Sequence, residues 1–470
     1  MPLRRVLSLR AGGALAALMI GHAVSTPAFA DTIEAALIRA YQNNPQLNAQ
    51  RASVRSTDEN VPQALSGYRP KVAVTASAGT QYTDVQSNLS SGQTLTTSRI
   101  YGVNAPRSVG ATVSQTVFNG GQTANRTRAA ESQVSAAREG LRVLEQTVLL
   151  SAATIYMDYL RDSAIVEVQR SNTRVLEQTL KQTKDRFNVG EVTRTDVAQS
   201  EAQLAAGRTQ LLTAESNLTT TRANFRRIIG NDPVNLAAGS PVDRYLPPTL
   251  LAAIDVSLLE NPSVTAAMYG IDVSFLQVKV NEGALFPTLT LQGSVQQSYE
   301  STMSIYRSFG ASAVAQLSIP VYQGGAEYAL IRQSKETLAQ QRLTLEQTRD
   351  QTRATVAQAW GQLVAGKAQV SSAQSQVTAS EIALNGVREE ARVGQRTTLD
   401  VLNAQQALVN ARVALVTAQH DRVVASYSTL SAVGRLSPQV MNLATTVYDP
   451  SVHYHQVRDA WGGTQIPDGK

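Results

Sequence analysis

The residues best able to do chemistry in this 470-residue chain are few, and their spacing does not assemble a reaction centre. Gly361-Gln362-Leu363-Val364-Ala365-Gly366-Lys367 comes close to a phosphate-binding loop, whose amides and lysine would cradle a nucleotide. Ala368 stands where that motif needs a Ser or Thr hydroxyl for the metal, no strand precedes it, and Leu363 and Val370 fall in a helical apolar row. The histidines are His22, near the N-terminus, His420, within a helical segment, and His453 and His455, which read as an ordinary surface pair in the tail rather than a metal site. There is no cysteine, which removes disulfides, thiolate ligands, a thiol nucleophile and an acylated N-terminal cysteine together. No His-Glu-x-x-His, no Gly-x-Ser-x-Gly and no convincing carboxylate dyad occurs. The expectation is a protein that is not an enzyme and carries no catalytic, cofactor-binding or metal residues. Any energy it uses comes from partners.

Residues 1–30 are set apart from the fold. Arg4, Arg5 and Arg10 precede the apolar stretch Ala11–Ile20, and Ala28-Phe29-Ala30 supplies a small-x-small cleavage site. This is the layout of a secretory signal peptide. Its removal takes three arginines and no acids, so 42 bases against 36 acids become 39 against 36, and +6 becomes +3. With that the charge argument for a nucleic-acid partner falls away, and no nucleic acid is expected. No later run is apolar enough for a spanning helix, which leaves an exported protein or a β-barrel of an outer membrane.

The remaining chain repeats itself. Asn44-Pro45 recurs as Asn261-Pro262 and Tyr68-Arg69-Pro70 as Leu285-Phe286-Pro287, both at an offset of 217. Phe118-Asn119-Gly120-Gly121 recurs as Tyr322-Gln323-Gly324-Gly325 at an offset of 204, which holds through Val189-Gly190 with Val393-Gly394, Asp196-Val197 with Asp400-Val401, and Gly230 with Gly434. The expected organisation is a first repeat over 31–230, a turn-rich linker over 231–254, a second repeat over 255–434 and a tail over 435–470.

Each repeat combines two patterns. Period-two alternation, as in Val72, Val74, Ala76 or Leu289, Leu291, Val295, predicts one long β-hairpin per repeat, about 71–118 and 288–321. The Ser/Thr/Gly-rich stretch Thr83–Arg99 reads as the loop of the first hairpin, and Glu300–Arg307 as its shorter counterpart. Elsewhere the pattern is helical: from Gly121 to about Arg186 no proline interrupts. Seven-residue rows run through Val356, Leu363, Val370, Val377 and Leu384, and through Ala404, Ala411, Ala418, Ala425 and Ala432. Such rows imply supercoiled seams, and alanine lets the backbones approach closely.

Two hairpins give four strands, too few to close a barrel, and an open amphipathic sheet leaves backbone groups unsatisfied in lipid. Several copies must therefore pool their strands in the outer membrane. Tyr68, Phe118, Phe286 and Tyr322 on the helical side, and Tyr82, Tyr101, Tyr299 and Tyr306 toward the loops, are placed like interfacial girdles. The competing readings are a periplasmic coiled-coil adaptor and a structural protein without channel activity. Neither accounts for duplicated amphipathic hairpins.

The Asn-Pro before each repeat's helix, the aromatic-x-Gly-Gly after each hairpin, and Val-Gly-x-x-Thr-x-x-Asp-Val at each helical turn resemble the TolC-like outer-membrane efflux proteins over essentially all of 31–434. The tail, with Tyr448-Asp449-Pro450, His453-Tyr454 and Val457 to Trp461-Gly462, resembles the type I secretion branch. The resemblance implies a mainly α fold with membrane β: a homotrimer with a twelve-stranded outer-membrane β-barrel and a long α-helical tunnel in the periplasm. It also implies a passive exit duct opened by a periplasmic adaptor (membrane fusion protein) and an inner-membrane ABC or RND pump. Carried over by position, Arg396 with Asp196 and Thr195 would tether the closed periplasmic tip, and Asp400 with Asn403 would line the constriction. Val189, Gly190, Val393 and Gly394 would lie at the adaptor-contact turns. The family's second constriction carboxylate is Asn403 here, and its tip tyrosine is Ala391, so fewer closing contacts and weaker cation binding are expected.

Overall fold

The computed structural model describes residues 31–91 and 94–467, so the signal-peptide assignment over 1–30 lies outside the described residues. Three short helices lead in: α1 (Ile33–Asn43), α2 (Pro45–Asp58) and α3 (Asn60–Leu65). Four strands follow, β1 (Lys71–Ala78), β2 (Gln81–Ser91), β3 (Thr94–Asn104) and β4 (Arg107–Asn119), and then α4 (Gln122–Asn188) and α5 (Arg194–Ile229). The second half has α6 (Leu250–Glu260), α7 (Pro262–Gly283), β5 (Thr288–Thr302), β6 (Ile305–Ser318), α8 (Ala326–Arg392), α9 (Thr398–Val433) and a terminal α10 (Ser451–Val457). α8 and α9 begin and end 204 residues after α4 and α5, at 67 and 36 residues each. A 67-residue helix is about 100 Å long. Among the described residues no helix is long and apolar enough to cross a membrane.

The repeated motifs have local causes. Asn44 and Asn261 each cap a helix whose first residue is proline, with the Asn44 side chain accepting from the Gln46 amide at 2.9 Å and Asn261 from that of Ser263 at 2.9 Å. The Gly-Gly pairs turn each hairpin into its long helix. Gly120 has φ +64, and a Cβ there would run into the carbonyl of Gly283, so strand and neighbouring helix could not approach as they do.

β1, β4, β5 and β6 form one antiparallel sheet in that order, and its register sorts side chains onto two faces. One face carries the rows Val72–Val113–Gly293–Ala313 and Val74–Ala111–Val295–Ala311; the other carries Ala73–Thr112–Ser294–Ser312 and Ser77–Ser108–Ser298–Ser308. The polar face is knitted by Ser77–Ser108 and Ser294–Ser312 hydroxyl pairs at 2.9 and 2.8 Å. Both edge strands, β1 and β6, are exposed along their whole length.

The stretch expected as a polar loop, Thr83–Arg99, is instead most of a second two-stranded ribbon, β2 with β3. Cross-strand chemistry explains it: Arg99 donates to both oxygens of Asp84, at 2.8 and 2.6 Å, and its guanidinium lies 5.3 Å from the Tyr101 ring centre. The described residues therefore form six strands, four of them in the main sheet.

The main core lies midway along the helices, where Leu37, Tyr41, Leu149, Tyr156, Phe225, Tyr427 and Leu430 are fully buried. The Tyr156 hydroxyl sits 2.7 Å from the carbonyls of both Asp31 and Ala237, tying the segment before α1 and the stretch after α5 to α4. Val356, Leu363, Val377 and Leu384 are buried in the seam with Ala411, Ala418 and Ala425. Gly361–Lys367 is mid-helix, where its amides are spent on the helical ladder and Lys367 pairs with Asp243 at 3.2 Å.

Candidate functional site

The helical end opposite the sheet is built from two matching turns. Gly190 and Gly394 have φ of +80 and +79 and reverse the chain between α4 and α5 and between α8 and α9. Val189 and Val393 beside them are 78% and 69% exposed, so each turn presents an apolar residue to solvent. Thr193 and Asp196, and again Thr397 and Asp400, form reciprocal capping boxes. Asp196 accepts from the Thr193 amide and hydroxyl at 2.9 and 2.7 Å, and Asp400 from those of Thr397 at 3.0 and 2.9 Å. Hydrogen bonds from the Thr193 hydroxyl and amide hold the Asp196 carboxyl below its ordinary range, and the Thr397 amide and hydroxyl do the same for Asp400. Both carboxylates are thus fixed as anions at helix N-termini.

Arg396 donates to Glu390 at 2.8 Å within the chain, while Asp196 keeps its bonds to Thr193. Arg396 and Asp196 line the same cleft between the two turns, but a single chain does not pair them. Thr195 and Asn403 are exposed and Asp400 is half-buried. Glu390 escaped the sequence reading, as did the capping role of the aspartates. The Thr-x-x-Asp spacing is a recognisable cap signature and could have supplied the latter. Behind the turns, Leu176, Leu204 and Leu402 pack across the repeats, reinforced by Gln203–Gln406 at 3.1 Å and Asn172–Gln405 at 3.3 Å, with Arg388 donating to Gln405 at 3.0 Å.

A second polar cluster joins the repeats nearer the middle. His420 on α9 is buried, with Nε2 2.9 Å from Asp158 on α4 and Nδ1 2.8 Å from its neighbour Asp421. Carboxylates only accept, so both ring nitrogens must donate, which is the imidazolium. Arg161 bridges Asp158 and Asp162 at 2.8 Å each, and Thr221 on α5 donates to Asp162 at 2.6 Å. Arg422 and Lys367 pair with Asp243 of the linker on the same stretch of coil. Burial alone would depress the His420 pKa, but the hydrogen bonds its ring donates to Asp158 and Asp421 hold it above its ordinary value. A raised base stabilises the fold fully below its unfolded pKa and loses that contribution as pH rises through the folded value. Thermal unfolding followed by circular dichroism should show stability falling from about pH 6.5 upward, with His420→Gln removing that slope. An unchanged slope in the variant would assign it elsewhere.

The tail pair, expected at the surface, is split: His453 is buried against Asp58 with Nδ1 3.0 Å from Oδ2, while His455 is exposed. α10 is docked on α2 and α4, because Tyr454 and Arg458 also reach Glu131 at 3.4 and 3.5 Å.

The chain matches the model of the outer membrane efflux protein family over residues 36–231 and 253–435. It is similar to the outer membrane efflux protein BepC of Brucella suis biovar 1, with 39% identity over 459 residues and 97% of each chain covered. It is also similar to the outer membrane protein TolC of Escherichia coli K12, at 26% over 310 residues and 63% of each chain. Among solved structures the Campylobacter jejuni CmeC outer membrane channel has the same fold, with a TM-score of 0.76 at 16% identity, covering 91% of this chain and 89% of that one.

Proposed function

Because the chain belongs to the outer membrane efflux protein family, whose members are channels and not enzymes, we propose that it forms a homotrimeric, passive exit duct for a tripartite efflux or type I secretion assembly. It is an outer-membrane efflux channel extending into the periplasm, and the family works as trimers with adaptor and inner-membrane pump components. The observation that carries the trimer is the two-faced, open-edged sheet. Four strands cannot close in lipid, and three copies supply the twelve that can. In such a barrel the face carrying Val72, Val113 and Val295 would meet lipid and the Ser/Thr rows would line the lumen.

In this reading the Gly190 and Gly394 turns form the periplasmic tip. Arg396 would exchange Glu390 for Asp196 and Thr195 of the adjoining protomer when the tip is shut, and the clefts beside Val189 and Val393 would receive adaptor hairpins. The Asp400 ring contributes one carboxylate per chain, with Asn403 neutral, so divalent block should be weak. The type I secretion pump is favoured over the RND pump by the tail and by the similarity to alkaline protease secretion protein AprF of Pseudomonas aeruginosa and proteases secretion protein PrtF of Dickeya chrysanthemi.

Reconstitution into planar bilayers tests this. The wild-type protein should give small, uniform conductance steps, and Arg396→Glu should raise them several-fold by replacing an attraction with a repulsion in every protomer. Equal conductance in the two proteins would remove Arg396 from the gate, and no conductance at all would remove the channel.

A further inference from the structure

The tail leaves the middle of the helices and climbs toward the sheet. Past α10, Arg69 donates to the carbonyls of Ala460 and Asp459 at 2.6 and 3.5 Å, and its guanidinium lies 4.7 Å from the centre of the Trp461 ring. Arg69 is two residues before β1, so this strap fixes Trp461 at the helical-side root of an edge strand. The indole is nevertheless 75% exposed, with one face on Arg69 and the rest free. At the opposite edge, the root of β6 continues into Ile319, Val321 and Tyr322, which are 58%, 88% and 76% exposed. One chain therefore carries two exposed apolar features on the helical side of its sheet, one at each edge.

Barrel closure brings those edges together. All four strands alternate in direction, so the β1 edge of one copy pairs antiparallel with the β6 edge of the next. The start of β1 then lies beside the end of β6, with strands about 4.8 Å apart. A tryptophan held at the root of β1 comes within side-chain reach of the residues that follow β6 in the neighbour.

We propose that the C-terminal strap is an intersubunit clasp: Trp461, held by Arg69, packs on Val321 and Tyr322 of the partner subunit at the periplasmic rim of the barrel. The occupant of the indole's free face is thus a second copy of this chain. The clasp rests on the trimeric barrel proposed above. Tryptophan suits the task, since its large rigid surface orders at little entropic cost and rings of this size dominate interface energetics.

The absence of cysteine makes cross-linking clean. Full-length protein carrying Trp461→Cys with Tyr322→Cys, and a second pair with Val321→Cys, is treated in membranes with a short bifunctional maleimide and then boiled. Covalent dimers and trimers are expected from both pairs, and only monomer from Trp461→Cys alone. Monomer from the pairs, in a preparation whose unboiled sample migrates as a trimer, would overturn the clasp while leaving the trimer standing; monomer in both samples would overturn both. Lipid is the rival occupant. In a Trp360→Phe background Trp461 is the sole tryptophan, and its emission should be little changed by vesicles of brominated phospholipid. Strong quenching would place the indole in lipid and overturn the clasp.

Discussion

Val113→Arg should abolish assembly into the membrane, whereas Thr112→Arg, one residue earlier, should assemble normally and shift the pore toward anions. The two positions are adjacent in β4 yet lie on opposite faces, because Val113 pairs with Val72 and Gly293 while Thr112 pairs with Ala73 and Ser294. β4 runs from Arg107 to Asn119, so both sit near its middle and at comparable depth. An arginine facing lipid at the midplane costs roughly 2–4 kcal/mol per chain, hence about 6–12 kcal/mol for three copies. That is comparable to the whole stability of a typical domain. On the lumen face the same side chain meets Ser, Thr and water, and three guanidinium groups raise the local potential for anions. Heat-modifiable migration of outer-membrane fractions reads the first effect and reversal potential in a salt gradient reads the second. Equal assembly of both variants would mean that the sheet does not face lipid with its Val/Ala rows.

That pair of substitutions depends on a register legible only in part from sequence. The alternation of Val72, Val74 and Ala76 identifies which residues share a face, because strand geometry is local. The coils were equally legible: a seven-residue row must lie along one seam, and Val356, Leu363, Val377 and Leu384 do. What could not be read were interactions whose partners lie far apart in the chain. The β2–β3 ribbon hid for another reason: its pairing rests on contacts such as Asp84 with Arg99, in a stretch whose Ser, Thr and Gly content looks like a loop. Arg396 illustrates a different limit. Its role was inherited by resemblance from a trimer, and the single chain gives it a nearer acceptor, Glu390, whose position no spacing rule picks out. His453 looked like half of an exposed pair because nothing in the tail announces that Asp58, 395 residues earlier, waits in a buried site.

That site yields the second large effect: His453→Ala should release the tail, and Asp58→Leu with His453→Leu should restore most of the docking. Both side chains are almost wholly buried, Asp58 Oδ1 has no hydrogen-bond partner, and the nearest other cation, Arg138, is 3.9 Å away and engaged with the Tyr454 ring. Burial pushes the Asp58 carboxyl above its ordinary value, while the His453 hydrogen bond and Arg138 pull it back. Removing His453 takes away the only direct hydrogen bond to that carboxyl among the described residues, and breaking a buried pair from one side costs about 3–5 kcal/mol. Replacing both partners with apolar side chains removes the desolvation cost with the attraction, which is near neutral for many buried pairs. The pH dependence has a definite sign. An acid whose folded pKa is raised binds more protons folded than unfolded, so stability falls as pH rises through the folded value. The His453→Ala deficit should therefore be smaller at pH 5 than at pH 8, since protonation discharges the stranded carboxylate. Limited proteolysis of the tail at the two pH values, on wild type, His453→Ala and the double leucine, separates these outcomes. If the double variant were as protease-sensitive as His453→Ala, the histidine would hold the tail by its own packing rather than by answering a buried charge.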